Sequence, residues 1–243
     1  MAETPTGKFV WYEYICDDLK GAVDFYTAVV GWSTKDAGMS GFPYEIVSAG
    51  PTMVGGITNI PDEARAMGAR PGWDGYISVE NVDAAVSKLT GAGGRVLKQP
   101  ADMPGVGRFA VVADPYGAVF MLFHGSGEAP PPPALPGAPG LVGWRELHAG
   151  DGAGALSFYA GQFGWKKERD FDMGPMGLYH LRRRRRPARR HNDQGLADSI
   201  AVLALLFQRR RDRRGGRTRQ GERRADRPRP TGSAHRPVGR AGS

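Results

Sequence analysis

One stretch of this chain repeats itself at a constant offset of 133 residues. Trp11, Glu13, Asp18, Gly21, Ala22, Phe25, Tyr26, Gly31 and Trp32 meet Trp144, Glu146, Asp151, Gly154, Ala155, Phe158, Tyr159, Gly164 and Trp165 without a gap. An internal repeat of this kind means that one supersecondary unit is used more than once, which restricts the architecture more than composition does. The unit opens with Phe9 to Cys16, rich in aromatic and β-branched residues and therefore strand-like. Asp17 and Asp18 then offer an N-cap, and Leu19, Ala22, Val23, Phe25, Tyr26 and Val29 recur at helical spacing up to Gly31. Tyr44 to Val47 and Met53 to Ile57 read as two further strands.

The pattern restarts with a strand at Tyr76 to Val79, a cap at Glu80 to Asp83 and a helix stopped by Gly93-Gly94. Arg95 to Lys98, Phe109 to Val112 and Ala118 to Phe123 are strand-like, the last two joined by the turn Asp114-Pro115-Tyr116-Gly117. Residues 8–125 are thus expected to be one complete domain of two βαβββ modules. A Pro/Gly-rich linker follows at 126–141, a partial second domain at 142–181, and an Arg-rich tail without regular structure at 182–243. The fold class is α+β, a curled mixed sheet around a cavity.

These residues carry a family resemblance: the strand leading to Asp18, the helix with Phe25-Tyr26, Gly31-Trp32, and the Asp114 to Gly117 hairpin before a final apolar strand. The chain resembles the vicinal oxygen chelate superfamily of glyoxalases, bleomycin-resistance proteins and extradiol dioxygenases, in its two-domain glyoxalase-like form. The resemblance implies a concave small-molecule site and, in many members, a divalent metal held by His, Gln or Glu. It implies ligands at positions occupied here by Trp11 (Trp144 in the repeat) and Met121, with Asp74 near a third. Trp and Met do not replace His and Glu on a hard metal, so no cofactor is expected. A divalent metal held through Asp74, Glu13 or His124 is the alternative, and with it a metal-dependent lyase or dioxygenase.

By strand alternation Trp11, Glu13 and Ile15 share one face, and Tyr12, Tyr14 and Cys16 the other. If the ligand position of the family faces the cavity, so does Glu13. An inward carboxylate is costly unless paired or functional, which makes Glu13 the candidate acid/base, with an ion pair to Arg108 as the structural alternative. Trp11, Tyr44, Trp73, Tyr76, Arg108, Phe109 and Phe123 are the expected lining, suited to an aromatic or oxygenated metabolite. His124 and His148 read as strand-end and local residues, and Cys16 as a buried thiol.

The net charge of +8 hides two unlike pieces. Residues 1–181 hold 13 Lys plus Arg against 20 Asp plus Glu, whereas residues 182–243 hold 20 Arg, no Lys and 5 acids. Read from the second base of each codon, Arg190 to Gln194 permits Gly-Ile-Met-Thr-Lys, like Gly56-Ile57-Thr58. The stretch from Leu203 permits a segment aligned with Trp73 to Val86. A frameshift near residue 181 is therefore expected, and nucleic-acid binding only as a non-specific, salt-sensitive property of the tail. With no basic-then-apolar leader, no long apolar run and a single cysteine, the chain is read as cytoplasmic, not membrane-bound, and able to form a homodimer. The third module, lacking a fourth to close on, is expected to expose its apolar face, so that residues 1–126 fold better alone.

Overall fold

The computed structural model describes residues 6–127, 138–149, 151–171, 177–183 and 199–204. Residues 1–207 form one compact unit, and the second unit, 208–243, lies outside the described residues. Among the described residues no helix is long and apolar enough to cross a membrane.

The first module comprises β1 (Phe9–Cys16), α1 (Leu19–Val30), β2 (Ser33–Asp36), β3 (Tyr44–Ala49) and β4 (Thr52–Asn59), followed by a short helix α2 (Asp62–Ala66). The expected cap is Asp18, whose side chain accepts from Gly21 N, and α1 ends at Gly31 with φ of 79°. A left-handed residue stops the helix, and only glycine enters that region without strain. The second module repeats the order as β5 (Gly72–Ser78), α3 (Val82–Gly91), β6 (Arg95–Met103), β7 (Gly107–Ala113) and β8 (Val119–Gly125). Asn81 caps α3 by accepting from Ala84 N.

The two modules share one eight-stranded sheet in the order β2-β3-β4-β1-β5-β8-β7-β6. Within each module the first strand runs parallel to the last, and the modules meet where β1 and β5 pair antiparallel. The sheet is curled and not closed, in agreement with the expected fold class. Two cores lie on its helix side. One packs Leu19, Ala22, Val23 and Tyr26 of α1 against Cys16, Val47, Val54 and Ile57. The other packs Val82, Val86 and Leu89 of α3 against Ile77, Val112, Phe120 and Leu122.

The third module runs β9 (Glu146–His148), α4 (Gly152–Phe163), β10 (Trp165–Phe171), β11 (Gly177–Arg183) and β12 (Ser199–Ala204), paired in the order β10-β11-β12-β9. This is the order of the first module, with β12 parallel to β9 as β4 is to β1. The segment 182–243 was expected to lack regular structure, yet Arg182 and Arg183 finish β11, and β12 is drawn from the apolar run that begins at Ile200. The repeat offset would set residue 189 beside Glu146, but Ala201 stands there. Residues 184–198, which include the out-of-frame likeness at Arg190 to Gln194, lie outside the described residues, as do 205–243.

The expectation of an exposed apolar face is corrected for α4. Ala155, Phe158, Tyr159 and Phe163, with Trp165, are buried in the same core as α3 and Phe120. Asp114 is the polar hinge of that contact. It is fully buried and accepts from Tyr116 N, Ala118 N and the Tyr159 hydroxyl (2.9, 2.8 and 3.0 Å). Removing the hydroxyl with Tyr159→Phe leaves a buried acceptor short of one donor, so it is expected to cost about 1–3 kcal/mol, read as a lower midpoint in urea unfolding.

Candidate functional site

Glu13 sits in the middle of β1, flanked by both neighbouring strands: Gly56 of β4 is its parallel partner and Asp74 of β5 its antiparallel one. Directly opposite residues of an antiparallel pair project to the same face. Glu13 and Asp74 therefore share the concave side, and so do Trp11 and Tyr76, which are also cross-strand partners.

The Tyr76 hydroxyl donates to Glu13 Oε2 at 3.1 Å. The Tyr44 hydroxyl, brought over from β3, bonds the same carboxyl and accepts from the Trp11 indole N–H at 2.8 Å. A β-carbon at Gly56 would lie 2.1 Å from the Tyr44 hydroxyl oxygen, so this position on β4 must be glycine for Tyr44 to reach across. The outcome is a chain from Trp11 through Tyr44 to Glu13, met from the other side by Tyr76. The Tyr76 ring packs edge-on against Phe123 (6.0 Å), which pairs across strands with Phe109, and the Lys98 ammonium lies 5.2 Å from the Phe109 ring centre.

Burial dominates the electrostatics. It raises the Glu13 carboxyl above the usual carboxylate range, aided by the neighbouring Asp74 charge and opposed by the two phenols and Lys98. Burial alone pushes Asp74 up to about 6. Both phenols are raised, first by burial and then by Glu13, and stay protonated as donors across the physiological range. Two adjacent carboxyls in a desolvated site do not both ionise readily, so the pair is suited to hold and hand over one proton near neutral pH.

Of the residues singled out in the sequence, Trp11, Glu13, Tyr44, Asp74 and Tyr76 come together, with Phe109 and Phe123 continuing the wall. Trp73 does not join them. It lies on the helix side, donates to the Tyr26 hydroxyl at 2.7 Å and packs with Tyr14 and Trp32. Arg108 does not pair with Glu13 either, being held by Asp83 and Asp102 (2.8 and 2.9 Å). His124 is exposed, with Nδ1 3.0 Å from the Val79 carbonyl oxygen. His148 stands near Glu146 at 3.9 Å. Cys16 is buried, its thiol bonded to the Thr58 carbonyl and raised by burial.

A divalent metal of the kind the resemblance implies does not fit these side chains. The indole N–H of Trp11 has no lone pair to offer and is donated to Tyr44, and Met121 presents a soft, buried thioether. Among the described residues Glu13 and Asp74 are then the only carboxylates at this place. Among the described residues no group of three His, Cys, Asp or Glu converges.

Comparison with known proteins agrees with the fold. The family model described as Glyoxalase/Bleomycin resistance protein/Dioxygenase superfamily matches residues 8–122. The protein named "Putative glyoxylase CFP32" from Mycobacterium tuberculosis is 40% identical over 118 residues, covering 48% of this chain and 44% of that protein. The "Anthracycline biosynthesis protein DnrV" of Streptomyces peucetius is 32% identical over 181 residues, covering 68% of this chain and 63% of that one. The chain thus spans less than two thirds of the length of either relative. A Mn(II)-bound glyoxalase from Novosphingobium aromaticivorans has the same fold, with a TM-score of 0.55 at 17% identity over 83% of this chain and 63% of its own.

Proposed function

Because residues 8–122 belong to the glyoxalase/bleomycin resistance protein/dioxygenase superfamily, we propose that the concave face binds a small oxygenated aromatic molecule without a metal, Glu13 anchoring it and exchanging a proton with one of its oxygens. The observation that carries this reading is the Glu13 carboxyl held between the Tyr44 and Tyr76 hydroxyls and facing Asp74. The phenols orient the carboxyl, and Trp11, Tyr76, Phe123 and Phe109 supply flat apolar walls. Asp74, raised by burial, takes up or returns the proton that Glu13 exchanges, which lets a carboxyl pair act as acid and as base near neutral pH. The name of the Streptomyces relative makes an oxygenated polycyclic aromatic a reasonable class to test first.

The experiment is titration of a dihydroxyanthraquinone into the full chain and into Glu13→Gln by calorimetry, with and without a chelator. A charge-assisted hydrogen bond contributes about 1.5–3 kcal/mol, so the variant is expected to bind at least tenfold more weakly. The chelator is expected to change nothing. Equal affinity in the variant, or binding abolished by chelation, would refute the reading.

A further inference from the structure

On the opposite, helix side of the same sheet lies a second cavity of about 570 Å3, whose lining has only Asp74 in common with the residues gathered around Glu13. Its floor is the seam between β1 and β5, where Phe9 and Tyr12 stack in parallel (5.9 Å, 5°). Gly75 makes that floor possible, since a β-carbon there would lie 2.4 Å from the Phe9 ring. Trp73 forms one wall, Trp165 another, and the segment from Gly140 to Leu147 closes over the top with Trp144 and Arg145.

Two independent features distinguish this cavity from a packing defect. Four of the eleven large hydrophobic side chains exposed among the described residues, Val30, Trp73, Val119 and Trp144, gather around this one opening. Exposed apolar side chains gathered at one place mark a binding site, whereas scattered ones do not. The second feature is charge. Alongside Glu146 and Asp74, Arg145 lines the cavity, and its guanidinium lies over the Phe9 and Tyr12 rings at 5.1 and 5.2 Å, its Nε donating to the Tyr12 hydroxyl. A cation presented beside flat aromatic walls complements the negative face of an electron-rich ring.

We propose that this outer cavity is a second binding site, separate from the Glu13 site, for a planar, electron-rich aromatic molecule stacked between Trp144 and the Arg145 guanidinium that covers the Phe9–Tyr12 floor. The volume falls within the range of small-molecule sites, roughly 300–1,000 Å3. Trp73 then has a role on the helix side of the sheet, opposite the face that carries Glu13.

The test uses 2-naphthol, a neutral, electron-rich bicyclic, titrated calorimetrically into the full chain. Saturable binding is expected in the wild type and is expected to persist in Glu13→Gln, where the concave site has lost its anchor, so the variants at the outer cavity are read in that background. Val119→Trp, at the exposed rim, is expected to fill the mouth and weaken binding at least tenfold while leaving the melting temperature within a few degrees. Trp144→Ala is expected to weaken it by a similar factor through lost stacking. The proposal is overturned if 2-naphthol does not saturate, if Val119→Trp retains full affinity, or if Glu13→Gln is the variant that loses it. It is equally overturned if sedimentation shows a dimer that Val119→Trp dissociates and that excludes 2-naphthol, because a second copy would then be the occupant.

Discussion

Trp165→Ala is expected to destabilise the folded chain by about 3–5 kcal/mol, the range for deleting a large aromatic from a core. Trp165 is 3% exposed, stacks on Tyr159 (5.4 Å, 7°), and contacts Phe163 and Phe9 at 5.1 and 6.0 Å. Its indole N–H also donates to the Gly7 carbonyl at 2.9 Å, tying the third module to the entry of β1. Gly7 has φ of 81°, and a β-carbon there would lie 2.9 Å from the Trp165 indole nitrogen, so the two residues are mutually constrained. The same contacts reverse the expectation drawn from the repeat. A chain cut after residue 126 loses Phe158, Tyr159, Phe163 and Trp165 from the core that also contains Val86, Leu89 and Phe120, and should unfold at a lower urea concentration than the full chain. A truncated chain that proves the more stable of the two would show that α4 merely rests on that core.

Much of the fold was legible because each βαβββ unit carries its own punctuation. Asp18 and Asn81 cap helices where acids or amides precede helical periodicity, and Gly31 and Gly164 end them in the left-handed region. The unread elements lack such signals. Strand β2 is Ser33–Asp36, polar and exposed throughout at a sheet edge, so neither alternation nor burial marks it. Helix α2 is a five-residue turn after Pro61, too short to show a period. At the site, residue types were legible but pairings were not. Trp73 and Tyr76 are three residues apart on one strand, hence on opposite faces, and starting β5 at Gly72 instead of Tyr76 would have placed Asp74 inward and Trp73 outward. Arg108 reads in sequence as a lining residue and a partner for Glu13 because Asp83, its main partner, is 25 residues away and reaches it only after α3 docks. The convergence of Tyr44 and Tyr76 on Glu13 depends on Gly56, whose missing side chain looks in sequence like a weak point in a strand.

Asp74→Asn is expected to stabilise the chain by about 1–3 kcal/mol at pH 7.5 and to have little effect at pH 4. Burial raises the Asp74 carboxyl from 3.8 to about 6, so the folded chain holds a proton there that the unfolded chain has already released. Between those two values stability falls as pH rises, because the native state binds more protons than the unfolded state, and above about 6 the loss is complete and constant. Each tenfold change in proton affinity corresponds to about 1.4 kcal/mol, so the rise from 3.8 to about 6 sets an upper bound of about 3 kcal/mol, lowered because Asp74 keeps some contact with solvent. Asn keeps the shape and removes the charge, so its advantage should appear across the same interval. Glu13 adds to the signature, since removing the Asp74 charge takes away one of the influences raising its own carboxyl, and any activity controlled by Glu13 should shift its acidic limb to lower pH. Urea unfolding of both proteins at pH 4, 5, 6 and 7.5 measures this directly. A difference that stays flat across the series would mean that Asp74 is not held in a desolvated, proton-retaining position opposite Glu13, and the acid/base pairing would lose its second member.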